Sequence, residues 1–264
     1  VPPVIALLTD FGLQDHYVGA MKGAILAVCP EATLVDVVHE LPAHDLTAGA
    51  LALDAAYRYF PAGTVFVAVV DPGVGSERRP IAVGAGRWLF VGPDNGLFTL
   101  VLDAHPDARV HLVANPQLHA LPHSAVFHGR DMFGPTGAHL AKGLPLEEVG
   151  PTVQDPVRLA LPRARCAGGA CEGVVLFVDR FGNLVTSLLD ADLGPLAGGE
   201  PHRLEVVLGG RLLPVVRTYS DVEPGRPCVL LGSSGRLEIA VNGGRADALT
   251  GAGRGTPVLL RLRR

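Results

Sequence analysis

Apolar and polar positions follow two different periods along this chain, and the period changes past the middle. In the first half, short apolar runs such as "VIALL", "TLVDVV" and "VFVAVV" alternate with stretches where apolar residues recur every three or four positions. Val18, Met21, Ile25 and Val28 carry that spacing, which predicts a helix from an N-cap at Asp15 to the stop at Pro30. Asp45 is the expected cap of a second helix, "LTAGALALDAAYRYF", closed by Pro61. "RPIAVGAG" with "RWLFVGPDNG" reads as a hairpin, "LFTLVLDAH" as a third helix, and "FGPTGAHLAKG" as helical at least from His139 to Lys142. Strands alternating with helices predict a mainly parallel α/β sheet covered on both faces.

The second half loses the helical period. "GVVLFVDRFGNLVTSL", "HRLEVVLGGRLLPVV", "PCVLLGSSGRLEIAVN" and "TPVLLRLRR" are short β runs punctuated by glycine turns. They predict a smaller all-β domain, a barrel. A stretch rich in Pro, Gly and Ala separates the halves, giving an N-terminal α/β sandwich domain over 1–158, a linker over 159–172 and the β-barrel domain over 173–264.

Composition narrows the function classes. The 264 residues are 48% hydrophobic and 18% charged, which fits a packed globular protein rather than a disordered one. A formal net charge of −4 offers no footprint for nucleic acid or for an anionic membrane surface. With no signal peptide and no apolar run of the ~18 residues a span needs, the expectation is a soluble cytoplasmic protein. Four cysteines do not make a disulfide framework, although Cys166 and Cys171 in "CAGGAC" are close enough to bridge across a Gly-rich loop.

Several Gly-rich fragments carry no chemistry. "GAGRW" and "GAGRG" do not complete a dinucleotide fingerprint between strand and helix, there is no Walker loop, and "GSSG" is one residue short of a nucleophile elbow. The histidines of "HELPAH" and "HALPH" lack metal-site spacing, so neither a metal nor a cofactor is expected. What remains is a set of polar residues at strand ends and turns. Asp10 ends the first strand, Asp71 the third, and "PDNG" follows a later one. In a parallel sheet such ends share one edge, where open α/β folds bind ligands. "FHGRDMFGP", "DRFGN" and "SSGRLEIAVN" add His, Asp, Asn, Ser and Glu beside turns.

Taken in order, "LLTDFGLQDHYVGAMKG", "VVDPGVGSERR", "VGPDNGLF", "FHGRDMFGP", "VDRFGNLVTSL" and "LGSSGRLEIAVN" resemble the S-adenosyl-L-methionine hydroxide adenosyltransferases, relatives of the enzymes that make 5′-halo-adenosines. The resemblance runs from about residue 4 to at least 242. It implies hydrolysis of S-adenosyl-L-methionine to adenosine and L-methionine, without metal. It also implies a homotrimer with active sites where one subunit's N-domain meets a neighbour's C-domain. The water-handling trio maps onto Asp71, Arg78 and His128, with Arg79 the rival of Arg78. Asp10 corresponds to the carboxylate that grips the ribose hydroxyls. Asp179 and Asn183 resemble the family's groups near the methionine and ribose ends. The resemblance further implies that Tyr219, Ser233 and Glu238 line the same ligand, that Val241 offers its backbone to the adenine edge and that Phe181 packs on the purine face. Ser187 stands where the resemblance leads one to expect an Asn.

These residue types suit the reaction. Water must attack C5′ in line from ~3–3.5 Å while a neutral thioether departs, so positioning and a proton acceptor matter more than a general acid. Two other readings compete: a halide-using synthase of the same superfamily, against which a carboxylate at position 71 argues by repelling an anion, and a non-catalytic binder of adenosine or S-adenosyl-L-methionine, which would not need all three of Asp71, Arg78 and His128.

Overall fold

The computed structural model describes residues 2–120, 124–197 and 200–263. The chain forms two compact units, Val1–Leu159 and Ala160–Arg264. The first is built on a six-stranded sheet of β1 (Val4–Thr9), β2 (Thr33–Val38), β3 (Val65–Val69), β4 (Pro80–Ala85), β5 (Trp88–Pro93) and β6 (Arg109–Leu112). Their order is β2-β1-β3-β5-β4-β6. The strands β2, β1, β3 and β5 run parallel, while β4 is antiparallel to both β5 and β6.

Strand β3 shows why this sheet needs cover on both sides. All five of its residues are buried. Val65, Val67 and Val69 pack into one apolar cluster with Met21, Ile25 and Phe133, whereas Phe66, Ala68 and Val70 join Leu53, Tyr57 and Val101 in another. Alternation along a strand sends successive side chains to opposite faces, so a continuous apolar run is satisfied only between two layers. Helices α1 (Tyr17–Val28) and α4 (Gly134–Ala141) supply the first layer, and α2 (Leu46–Tyr57) and α3 (Thr99–Ala104) the second.

Asp45 caps α2 as its position suggests, its carboxylate accepting the Ala48 N–H. Asp15 does not cap α1. The capping position falls to His16, whose side chain makes no capping bond. A π-helical turn at Gly129–Phe133 runs directly into α4, which begins earlier than the sequence pattern indicated.

In the second unit β7 (Arg165–Ala167), β8 (Ala170–Val178), β9 (Leu184–Leu189), β10 (Leu204–Leu208), β11 (Arg211–Pro214), β12 (Pro227–Leu231), β13 (Arg236–Val241) and β14 (Pro257–Leu262) form one sheet. Its order is β11-β10-β14-β8-β9-β13-β12, with β7 pairing on β8. A parallel bridge between Val215 and Val229 links the two ends of this order, so the sheet curls nearly into a barrel around Leu184, Val206, Leu237 and Leu260.

The unit is not purely β, as the sequence pattern had led us to expect. Two short helices, α5 (Asp190–Ala197) and α6 (Ala246–Thr250), interrupt it. Cys166 and Cys171 face each other across the β7–β8 hairpin and form a disulfide. Ser187 is buried in β9, its hydroxyl accepting the Val174 N–H at 3.0 Å. Among the described residues, no helix is long and apolar enough to cross a membrane.

Candidate active site

Because β1 and β3 are parallel neighbours with Thr9 opposite Val69, their exits lie side by side. This brings Asp10 and Asp71 into one cleft of about 290 Å³, lined also by Phe11, Tyr17, His44 and His128. Cleft and carboxylates sit at the carboxyl edge of the parallel strands, where such sheets bind ligands.

The segment after β3 turns back at once. The Asp71 carbonyl accepts the Val74 N–H, and the Gly73 carbonyl accepts both the N–H and the hydroxyl of Ser76. Gly75 has φ +79°, and a Cβ there would come within 3.2 Å of the Ala125 carbonyl, so glycine suits both the conformation and the space. The turn returns Arg78 to Asp71. Arg78 Nε donates to both carboxylate oxygens at 2.9 and 3.0 Å, and Nη2 donates to Oδ2 as well. The same Nη2 lies 2.7 Å from His128 Nδ1. Both members of the Arg78–Asp71 pair are buried, at 9% and 5% side-chain exposure, which makes this guanidinium far more consequential than a surface partner. Its face also packs over the Phe133 ring at 5.1 Å.

The chemistry fixes one proton. A guanidinium can only donate, so His128 Nδ1 accepts and the ring proton sits on Nε2. Asp71 and His128 line the cleft, whereas Arg78 stands behind them and holds the two together. Arg79 goes elsewhere. It bonds the buried carboxylate of Asp94 at 2.6 Å and Asp155 at 2.7 Å. Asp94 in turn accepts the Val157 N–H, so "PDNG" ties down the end of the first unit. Arg130 and Asp131 pair with each other, and Asp131 also accepts the Ser124 N–H. Asp10 accepts the His44 N–H at 2.8 Å.

The remaining expected residues belong to the second unit. Asp179 accepts both the backbone and side-chain N–H groups of Asn183, at 2.8 and 3.0 Å. Burial, and then the charge of Asp179, push the Glu238 carboxyl above the usual glutamate range. Tyr219 is raised by burial and by the charges of Glu238 and Asp179, which places the three within electrostatic reach of one another. Gly232 makes room for Glu238, since a Cβ there would lie 1.9 Å from its Oε1. Phe181 is 75% exposed and Ser233 is exposed on the β12–β13 turn. Val241 is buried at the end of β13, and its carbonyl already accepts the Gly244 N–H at 3.1 Å. The two units thus present separate groups of the expected residues, Asp10, Asp71, Arg78 and His128 on one and the other seven on the second.

Phe11, Tyr17 and His44 line the cleft but were not singled out from sequence. Phe11 follows Asp10 directly in "TDFG", which was the available signal. His44 contributes through its backbone, which no side-chain pattern reveals. Among the described residues, the group with metal-type ligand atoms is Cys166, Cys171 and Asp192, and its two sulfurs are bonded to each other. The "HALPH" stretch runs into residues 121–123, which lie outside the described residues.

Comparison with known proteins agrees with the order of motifs. Residues 5–150 match the model of the SAM hydroxide adenosyltransferase N-terminal domain, and residues 173–259 that of its C-terminal domain. The chain is 45% identical over 263 residues to the (R)-S-adenosyl-L-methionine hydrolase of Thermus thermophilus, covering 97% of this chain and 98% of that protein. It is 34% identical to a fluorinase of an Actinoplanes species, over 91% of each. The crystal structure of an uncharacterized conserved protein from Thermotoga maritima superposes with a TM-score of 0.92 at 34% identity, covering 97% of this chain and 99% of that one. The chain belongs to the SAM hydroxide adenosyltransferase family.

Proposed function

We propose that this protein is an enzyme that hydrolyses S-adenosyl-L-methionine to adenosine and L-methionine by in-line attack of water on ribose C5′. The observation that carries this reading is Arg78 joining Asp71 and His128 at the wall of the cleft. Water bound between the latter two donates one hydrogen to the Asp71 carboxylate and accepts one from His128 Nε2–H. As the C5′–O bond forms and the C5′–S bond breaks, Asp71 takes the proton and the sulfur leaves as a neutral thioether. Arg78 is then the counter-charge that keeps the carboxylate ready to accept. No Lewis acid is needed for a leaving group that departs uncharged, so the reaction is proposed to run without metal or cofactor.

Asp10 is placed to grip the ribose diol, an ionised acceptor facing two hydroxyl donors. A cleft of about 290 Å³ is at the lower end of the ~300–1,000 Å³ of ligand pockets, which fits a site holding only part of the substrate. The proposed assembly is a homotrimer. In it a neighbour's C-terminal unit completes each site with Asp179, Phe181, Asn183, Tyr219, Ser233, Glu238 and Val241. The acidic pair Asp179 and Glu238 suits the ammonium and sulfonium of the substrate, and Phe181 suits the purine face.

The fluorinase likeness raises halide transfer as a second reading. Asp71 opposes it, since a carboxylate on the cleft wall repels an entering anion. The test is incubation of both sulfonium epimers with the protein, chelator and 18O-water, with and without halide. Labelled adenosine is expected in chelator. Adenosine absent above the blank would leave a binder, 5′-halo-adenosine would mark a synthase, and dependence on added metal would overturn the metal-free mechanism.

A further inference from the structure

A hydrogen-bonded chain, buried at its Thr9 and His39 links, runs behind the Asp10 loop, and the proposed water chemistry makes no use of it. Lys22 on α1 bonds Asp36 Oδ2 at 2.7 Å, and Asp36 Oδ1 lies 3.0 Å from His39 Nε2. His39 Nδ1 lies 2.8 Å from the Thr9 hydroxyl, and that hydroxyl oxygen accepts the Phe11 N–H at 3.2 Å. His39 and Thr9 are 3% and 0% exposed, so neither can exchange its partners for water.

The direction of the chain follows from its acceptors. Burial opposes ionisation of Asp36, but hydrogen bonds from Lys22 and His39 outweigh it and hold the carboxyl below its usual range. An ionised Asp36 can only accept, so His39 Nε2 carries a proton, and in the tautomer protonated there alone Nδ1 is an acceptor. In that tautomer the Thr9 O–H donates to the ring, which leaves its oxygen for the Phe11 amide. Asp36 and Lys22 are 42% and 31% exposed, so their pairing adds little energy and serves to set the ring.

A shift in the β1–β2 register puts His39 where this can happen. Leu7 pairs with Asp36 but Leu8 pairs with Val38, so one residue of β2 is extra. Such bulges re-aim side chains at strand ends. Beyond it the loops leaving β1 and β2 are tied at three further points. The Gly12 N–H donates to the His39 carbonyl at 2.8 Å, the Leu13 N–H to Glu40 Oε1 at 3.1 Å, and the His44 N–H to Asp10 Oδ2 at 2.8 Å. His44 adopts φ +66°, the one positive value at a described non-glycine residue, so its backbone is held in an unfavourable region where it faces Asp10.

From this geometry we infer that His39 is a positioning residue for ribose recognition, acting through Thr9 and the Phe11 amide to fix the Asp10 carboxylate against the 2′,3′-diol. This rests on the ribose role given to Asp10 above. It identifies the feature of the substrate, the vicinal diol, to which the hydrogen-bonded chain is tuned.

The test compares adenosine with 2′,3′-dideoxyadenosine by titration calorimetry on the full-length protein and on the variants His39→Gln, Thr9→Val and Asp10→Asn. His39→Gln replaces the fixed ring acceptor for Thr9 by an amide on a flexible stem, which no longer holds the hydroxyl in one direction. Thr9→Val removes the hydroxyl at nearly constant volume and decides the matter if His39→Gln does not fold. Loss of one oriented hydrogen bond predicts adenosine binding weakened about tenfold in both variants, with dideoxyadenosine changed less than about twofold. In turnover assays KM rises and saturated kcat holds. Equal losses for both nucleosides, or no loss for either, overturn the inference. If Asp10→Asn shows no diol-specific loss, the ribose reading of Asp10 fails and takes the inference with it. If Asp10→Asn behaves as expected and the other two do not, only the inference fails.

Discussion

Replacing Arg78 by Lys keeps the charge and removes the fork. Arg78 now reaches both oxygens of Asp71 through Nε and also contacts His128 Nδ1 through Nη2. A single ammonium on a shorter, unbranched head can serve one of those partners but not hold the two in register. At least one charge-assisted hydrogen bond is lost, and each such bond contributes about 1.5–3 kcal/mol. If the loss is felt when hydroxide character develops, turnover falls by about 10- to 150-fold. Since Arg78 is set back from the cleft wall, adenosine affinity should stay within about threefold of the parent, well under the ~1.4 kcal/mol of a tenfold change. The assay pairs adenosine release under saturating substrate with calorimetric titration of adenosine.

Arg79→Lys is the control. It disturbs a pair whose carboxylate, Asp94, is buried at 1% side-chain exposure while the arginine is 35% exposed. The expected cost is about 1–2 kcal/mol of stability, seen as a Tm lower by a few degrees, with turnover nearly unchanged. Full turnover in Arg78→Lys, or a loss of affinity as large as the loss of kcat, would refute the placement of Arg78 as the holder of the water-handling pair.

Three further outcomes follow from the second unit. Glu238 has its carboxyl raised by burial and by Asp179, so its ionisation costs stability as pH rises from the ordinary glutamate value of 4.5 through the raised one. Glu238→Gln should therefore match the parent Tm in acid and exceed it progressively toward neutral pH. A constant offset across that range would be inconsistent with a raised carboxyl. Gly232→Ala places a Cβ 1.9 Å from Glu238 Oε1 and must swing that carboxyl away. A several-fold rise in KM with little change in Tm is expected, and an unchanged KM would remove Glu238 from the substrate's surroundings. The Cys166–Cys171 disulfide closes a loop with a sequence separation of only 5, so chain entropy limits its contribution to about 2 kcal/mol. Reductant should lower Tm by several degrees and leave turnover at 25 °C unaltered, as scanning calorimetry with a parallel activity assay would show.

Residue pairing across turns was legible in the sequence to the extent that local rules decide it. "VVDPGVGSERR" offers a buried strand, a Pro-Gly turn and arginines seven and eight positions past Asp71, so an Asp–Arg contact was readable there. Choosing between Arg78 and Arg79 was not. Adjacent residues entering an extended strand point to opposite sides, and composition cannot say which side faces Asp71. The structure turns Arg78 inward and Arg79 to Asp94 and Asp155. Helix α5 was not legible for another reason, since its "DADLGPLA" contains Gly194 and Pro195, both poor helix formers, yet forms a helix after β9.

The cleft was half legible for a different reason. Asp10 is visible because a carboxylate ends an apolar run, but what positions that carboxylate comes from the neighbouring strand. The Phe11 amide is held by Thr9, Thr9 by a histidine 30 positions away, and the Asp10 side chain by an amide at position 44. None of these has a sequence signature, because each depends on which strands are neighbours and on one extra residue in the β1–β2 register. "HELPAH" looked at first like a failed metal motif. In the folded chain its first histidine lies behind the Asp10 loop and the backbone N–H of its last stands at the Asp10 carboxylate, so its spacing serves the crossing of two strand exits. A motif search built on side-chain ligands could only discard it. Pairing the parallel strands first, and then asking which polar groups face each other at their exits, leads to it directly.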